Sequence, residues 1–278
     1  MQIVKPEPLI IGGRAHYTLS SYDPVSIEVD VPYTSEQDIE YAIEGLIAQE
    51  DADPQDLQNP AWLKERFDVS NLDELHHLIY SQMQAMNTDM AEQQKAARCA
   101  AALAERLMQS VPAESVSRYI LMISETFQHE LAQTGNTIER FCIETGVTRA
   151  DLDQMFYQEA SAAAQNEAAL DAWAENRKLT VADEELPRLL GLTPQDASTF
   201  INEARSHGQL EDIRRAALRT KALEIICAES NCTYVHETPE EAAQRVRELR
   251  EQDAEMLANL ARNEQAGSGD EHPHLKLV

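Results

Sequence analysis

From Ser70 to Val111 apolar and small side chains fall in two rows seven residues apart: Leu72, Ile79, Met86, Ala100 and Leu107, beside Met83, Met90, Ala97, Ala104 and Val111. That spacing marks one apolar stripe on an otherwise polar helix. No Gly or Pro interrupts the stretch, Asn71 and Glu74 stand at capping-box spacing, and Pro112 follows directly. The pattern predicts one long helix, roughly 60 Å at 1.5 Å per residue. Such a spine predicts an elongated body on which later helices are hung.

The residues before it behave differently. Ile27, Val29 and Val31 alternate with Ser26, Glu28 and Asp30 up to Pro32, a period-two strand signal. Tyr17 and Leu19 are read as a second short strand across the Ser20 to Pro24 turn. Thr34 and Gln37 have capping-box spacing for a helix with Ile39, Ala42, Ile43, Leu46 and Ile47 on one face. A solvated linker is expected at 50–59, then a brief helix opened by Asn59 and Pro60, whose Trp62 and Phe67 anchor the linker to the body.

After the spine, Val116, Tyr119, Ile120, Ile123, Phe127 and Leu131 keep helical spacing as far as Gly135. A second helical stretch opens near Thr148, with Asp151 at the position of a capping acid, and runs toward Trp173. Two long helices joined by a short connection form a hairpin, or arm. Thr180, Thr193 with Pro194, and Gly208 punctuate a second arm of shorter helices, the last with Leu210, Ile213, Ala217, Leu218, Ala222, Leu223 and Ile226 on one face. Thr238, Pro239 and Glu241 cap a further helix whose Val246, Leu249, Met256, Leu257 and Leu260 are too sparse for deep burial. Two readings of it stand open: a solvated charged face, or a face that meets another chain, including a second copy in a homodimer. The expected division is a β segment, capped helix and linker at 1–69; a helical body at 70–236 with arms at about 112–179 and 180–236; an extra helix at 237–265; and a disordered tail at 266–278.

Charge narrows the function classes. The chain of 278 residues has 49 acidic and 23 basic residues, net −26, and each third is acidic: −10 over 1–69, −8 over 70–179 and −8 over 180–278. A phosphate backbone demands clustered Lys and Arg, so no direct nucleic-acid partner is predicted. Aromatics are 5% and Ala is abundant, which suits closely packed helices. No apolar run is long enough to span a membrane and no signal peptide is visible, so the expected compartment is the cytoplasm, without a membrane partner. The four scattered cysteines fit a reduced compartment. Cys227 and Cys232 near His236 read as small buried side chains, and His272 and His274 as adventitious ligands at most; no metal and no cofactor is predicted. His76 and His77 point about 100° apart on a helix and cannot easily share an ion. With no Gly-rich phosphate loop, His-x-x-x-His pair or nucleophile elbow, no catalytic residue is assigned and the chain is not read as an enzyme.

Three stretches carry a family resemblance: DPVSIEVDVPYTSEQDIEYAIEGL (Asp23 to Leu46), SVPAESVSRYILMISETFQHELAQTG (Ser110 to Gly135), and Leu179 to Glu229, which begins LTVADEELPRLLGLTPQDASTF. Their order and spacing resemble the C-terminal chaperone domain of the bacterial trigger factor family. The resemblance implies a mainly α fold of the trigger factor C-terminal, SurA-type chaperone kind: a long spine helix, two helical arms and a short N-terminal β element. The family's basic ribosome-docking loop is not found in this sequence, and about ten residues from Glu50 to Asn59 stand where the family inserts its prolyl isomerase domain. Neither ribosome binding nor isomerase activity is therefore predicted.

Two functions follow as expectations. One is an ATP-independent holdase whose partners are unfolded polypeptide clients, held in an open crevice between arms. The other is an adaptor or assembly protein using that crevice, or the last helix, for one dedicated partner or for self-association. Unbranched, polarisable Met adapts to many partners, and six of the eight, Met83, Met86, Met90, Met108, Met122 and Met155, fall in the spine and first arm. The predicted client contacts are Met86, Met90, Met122, Phe127, Leu131, Met155 and Phe156, with Leu190, Leu192, Phe200 and Ile201 placed on the second arm by the resemblance.

Overall fold

The structure, a computed structural model, describes residues 5–50 and 52–267. The predicted tail, with His272 and His274, lies outside the described residues from position 268 onward. The elements in order are β1 (Leu9–Ile11), β2 (Arg14–His16), β3 (Ser26–Val31), α1 (Glu36–Gln49), a 3-10 turn (Pro54–Gln58), α2 (Pro60–Phe67), α3 (Leu72–Glu105), α4 (Ala113–Gln133), α5 (Ile138–Thr145), α6 (Arg149–Asn176), a 3-10 turn (Asp183–Glu185), α7 (Leu186–Leu189), α8 (Pro194–Ser206), α9 (Leu210–Glu229), β4 (Asn231–His236) and α10 (Pro239–Gly267). The fold is mainly α. Two units divide it: an arm unit of residues 1–29 and 93–233, and a second unit of residues 30–92 and 234–278.

In the arm unit, α4 and α6 form the expected hairpin. Small residues make their close approach possible: Ala160 and Ala164 on α6 are buried against Val116, with Val111, Tyr119, Ile120 and Ile123 packed around them. Thr148 caps α6 as its sequence proposes, its hydroxyl accepting from Asp151 N–H while the Asp151 carboxylate accepts from Thr148 N–H. The connection between the helices is not a bare loop. It holds α5, capped by Thr137 and ended by Gly146 in the left-handed region at φ 72°. Helices α7, α8 and α9 make a second arm around Leu186, Leu189 and Ala217.

The spine helix ends at Glu105, six residues short of the predicted Val111. The backbone beyond it has other partners. Ser20 N–H donates to the Arg106 carbonyl (2.8 Å), Met108 N–H to the Thr18 carbonyl (2.9 Å), and Leu19 and Leu107 form a β-bridge. The Arg106 guanidinium donates to the Asp23 carbonyl (2.5 Å). Bonds to the N-terminal segment replace the last helical turn.

The strands also differ from expectation. Leu9–Ile11 pairs antiparallel with Arg14–His16 across Gly12 and Gly13, both at positive φ as a two-residue hairpin turn requires. Tyr17 and Leu19 are not the partner of β3. That partner is β4, about two hundred residues later: Asn231 N–H donates to the Val25 carbonyl (2.8 Å) and Glu237 N–H to the Val31 carbonyl (3.0 Å). The equal six-residue steps make the pair parallel, and parallel strands need a long crossover.

The second unit packs Ile39 and Ile43 of α1 against Leu63, Val69, Leu75 and Ile79, with Trp62 and Phe67 edge to face at 5.4 Å among them. The cap of α1 is Ser35 with Asp38, one residue later than Thr34 with Gln37. Thr34 is buried and accepts instead from the Asn87 amide (3.0 Å). Asp38 also receives Arg245 of α10 at 2.7 Å, and the same guanidinium grips Glu237 at 2.9 and 3.0 Å and the Tyr33 carbonyl at 3.1 Å. Burial alone would raise the Asp38 pKa; the hydrogen bonds from Arg245 and Ser35 outweigh it and hold it below the ordinary value. Arg245 is raised chiefly by Glu237.

Candidate functional site

An ionic join at the base of the arm unit ties the two arms together. On α6, Glu167 and Asp171 stand one turn apart. Arg219 of α9 reaches Glu167 at 2.6 Å and Asp171 at 2.7 Å, and Arg215 reaches Asp171 at 2.6 Å. From α4, Arg118 donates to Glu167 at 2.9 Å and the Tyr119 hydroxyl bonds to the same carboxylate. Burial, then Glu167, pushes the Tyr119 pKa up to about 12. Burial opposes the charge of Arg219, but the Asp171 hydrogen bond and the two carboxylates outweigh it and raise its pKa. Every charge in the join has an opposite partner, which offsets much of its desolvation.

These contacts orient the flanks of the α4–α6 hairpin. Arg118, Tyr119 and Met122 lie on neighbouring turns of α4, while Met155, Glu159, Ala163 and Glu167 form a four-residue ridge on α6. Because Arg118 and Tyr119 meet Glu167 across the hairpin, both rows border the same flank. Met122 is 52% exposed on α4 and Met155 56% exposed on α6, both nearer the α5 end of the hairpin than the ionic join.

The other sequence-predicted contacts separate into three groups. Phe127, Leu131 and Phe156 belong to the tip core with Ile138, Leu152 and Phe141: the Phe127 ring lies 5.1 Å from Phe141 and 5.5 Å from Phe156, and Phe156 is only 6% exposed. Leu190 and Ile201 are half-buried against the core of the second arm, and Leu192 is half-buried just past Gly191. Phe200 is 41% exposed, beside a cavity of about 400 Å³ lined by Ala204, Ile213, Ala216, Glu203 and Asp212. Met86 and Met90 are exposed on α3, in the second unit.

Sequence patterning missed several exposed apolar residues. Ile143 is 82% exposed on α5, and Leu121 and Tyr157 are exposed on the hairpin flank opposite Met122. Ile143 follows the buried-side Phe141 and Cys142 directly, so its place off the apolar face was readable once α5 was recognised as a helix. Leu9, Ile10 and Ile11 are exposed in succession. Among the described residues no group of three or more His, Cys, Asp or Glu is placed to hold a metal, and no helix is long and apolar enough to cross a membrane.

Comparison with known proteins gives a family. The family described as the bacterial trigger factor protein C-terminus matches residues 71–228. That span holds α3 through most of α9 and so both arms. The crystal structure of a hypothetical Mycoplasma protein is similar over 79% of this chain and 90% of its own, at 13% identity and a TM-score of 0.40. No curated protein matches the sequence.

Proposed function

Because the chain belongs to the bacterial trigger factor C-terminus family, whose domain is of a chaperone type, we propose that it is a non-enzymatic, ATP-independent holdase for unfolded polypeptides in the cytoplasm. The observation that carries this reading is the exposure of Met122 and Met155 on the α4–α6 hairpin, with Phe200 exposed on the second arm. Large apolar side chains left in water on both arms favour partners that supply apolar surface. Met suits partners of varied shape because three rotatable bonds and a polarisable sulfur let it repack. The arms are also held by paired charges at their base rather than by burial of these residues, so the client surface and the scaffold are separable.

Light scattering from unrelated chemically denatured proteins tests the reading. The purified chain, without nucleotide, suppresses aggregation of several such clients at near-stoichiometric ratio. No suppression even in large excess would overturn it, and binding confined to one folded partner would replace it with the adaptor function.

A further inference from the structure

The hairpin flank turned away from Met122 carries a groove of different chemistry, with a volume of about 550 Å³. That is within the size range of ligand pockets. Leu107, Val111, Val116 and Ile120 make an apolar floor. Along the rim, Ser117 of α4 and the α6 row Tyr157, Ser161 and Gln165 supply hydroxyl and amide groups. Gln165 already donates to Ser161 at 3.1 Å, whereas the Tyr157 and Ser117 hydroxyls have no hydrogen-bond partner among the described residues. Lys5 stands at the groove, exposed, and no carboxylate pairs with it among the described residues.

The lining differs from that of four other cavities of the molecule. The chain carries 49 acidic residues in 278. The cavities beside Tyr17, under Gly13, along Val31 and Val235, and beside Phe200 are each lined by at least two carboxylates. This groove is lined by none, and its one charge is a cation.

From this contrast we infer that the groove binds an extended apolar polypeptide segment whose one charge is an acidic side chain at one end, seated over Lys5. The floor takes the apolar side chains, the neutral rim matches main-chain amides, and the cation sets direction. Elsewhere the net charge of −26 repels acidic segments; here a local carboxylate is accepted. The inference rests on the holdase reading for the source of such segments, which unfolded clients supply.

Labelled, end-blocked octapeptides of sequence Ser-Leu-Val-Ser-Ile-Val-X-Ser, with X as Asp, Asn or Lys, test it by fluorescence anisotropy with the full chain. The Asp peptide binds about threefold tighter than the Asn peptide, the size expected of an exposed ion pair, and the Lys peptide binds weakest. Lys5→Gln abolishes the Asp preference, and so does salt at about 0.5 M, where the Debye length falls to a few ångströms. Ser161→Glu, a rim substitution on the α6 surface, weakens the Asp peptide several-fold, whereas Lys178→Gln, which removes an exposed cation outside the groove, leaves it unchanged; circular dichroism checks that each variant is folded. Tightest binding of the Lys peptide, or an Asp preference indifferent to Lys5→Gln or Ser161→Glu, overturns the inference. Aggregation assays on the same proteins keep the two readings apart: suppression without an Asp preference removes the groove alone, and an Asp preference through Lys5 without suppression removes the holdase alone.

Discussion

Arg219 Nε, on α9, donates to Asp171 Oδ1, on α6, at 2.7 Å, while the second arm of the same guanidinium reaches Glu167 at 2.6 Å. One planar side chain thus spans two carboxylates a helical turn apart, a geometry that Lys cannot reproduce. Asp171 in turn holds Arg215 at 2.6 Å. Asp171→Ala leaves two partly buried cations short of a partner, and it is expected to lower the unfolding free energy by about 2–3 kcal/mol. Urea unfolding checks this, and a loss below about 0.5 kcal/mol, the level of an ordinary surface change, counts against the join. Arg219→Lys is itself destabilising, because an ammonium cannot span both carboxylates as the guanidinium does.

Tyr119 makes the same join sensitive to alkali. Its pKa is pushed up to about 12, against about 10 for an unfolded tyrosine. A folded pKa above the unfolded one contributes stability that is fully present below about pH 10 and is lost as pH rises toward about 12. The stability of the wild-type chain relative to Tyr119→Phe is therefore flat at neutral pH and falls between those limits. Denaturant titrations of both proteins across the alkaline range measure it; parallel curves would refute it.

Asp38 acts at the opposite end of the scale. Its folded pKa is depressed, so its contribution is present above the unfolded value near 4 and is lost as pH falls through the lower folded value. Asp38→Asn is expected to destabilise the second unit at neutral pH and to differ progressively less from wild type below about pH 4. Thermal melts at neutral and acid pH, followed by fluorescence of Trp62 in that unit, provide the comparison.

Exposure separates two substitutions that sequence treats alike. Met122→Ser with Met155→Ser removes apolar surface from water, so stability is expected to change by less than about 0.5 kcal/mol while aggregation suppression weakens several-fold. Phe156→Ala empties the tip core and is expected to cost about 3–5 kcal/mol. Equal melting temperatures for the Phe156 variant and wild type would contradict its burial; unchanged suppression by the double Met variant would remove these residues from the client surface.

Much of the helical layout was legible from local chemistry. Asn71 with Glu74, Asn59 with Pro60, Thr148 with Asp151, Thr193 with Pro194, and Thr238 with Glu241 each begin a helix as their spacing implies, because a cap bonds to backbone within three residues of itself. The candidate surface was less legible. Phe127 and Phe156 obey the same helical spacing as any apolar stripe, and spacing alone does not distinguish a stripe covered by α5 from one left open. Met122 and Met155, in contrast, each keep about half of their surface in water.

What the sequence by itself determined is therefore the inventory: mainly α, two arms, a β segment at the start, and a strongly acidic surface. These follow from interactions a few residues long, or from simple counting. Only the tertiary structure decided that β3 pairs with β4 rather than with Tyr17 and Leu19, that α3 stops at Glu105, that Ser35 rather than Thr34 caps α1, and that one groove beside Lys5 is free of carboxylates. The first three of those outcomes are competitions for the same backbone or side-chain groups between a near partner and one far along the chain, and the fourth depends on which distant segments meet at the groove. Loop closure makes the distant partner costly in entropy but grows only slowly with length, so better bonds and burial at the far site win.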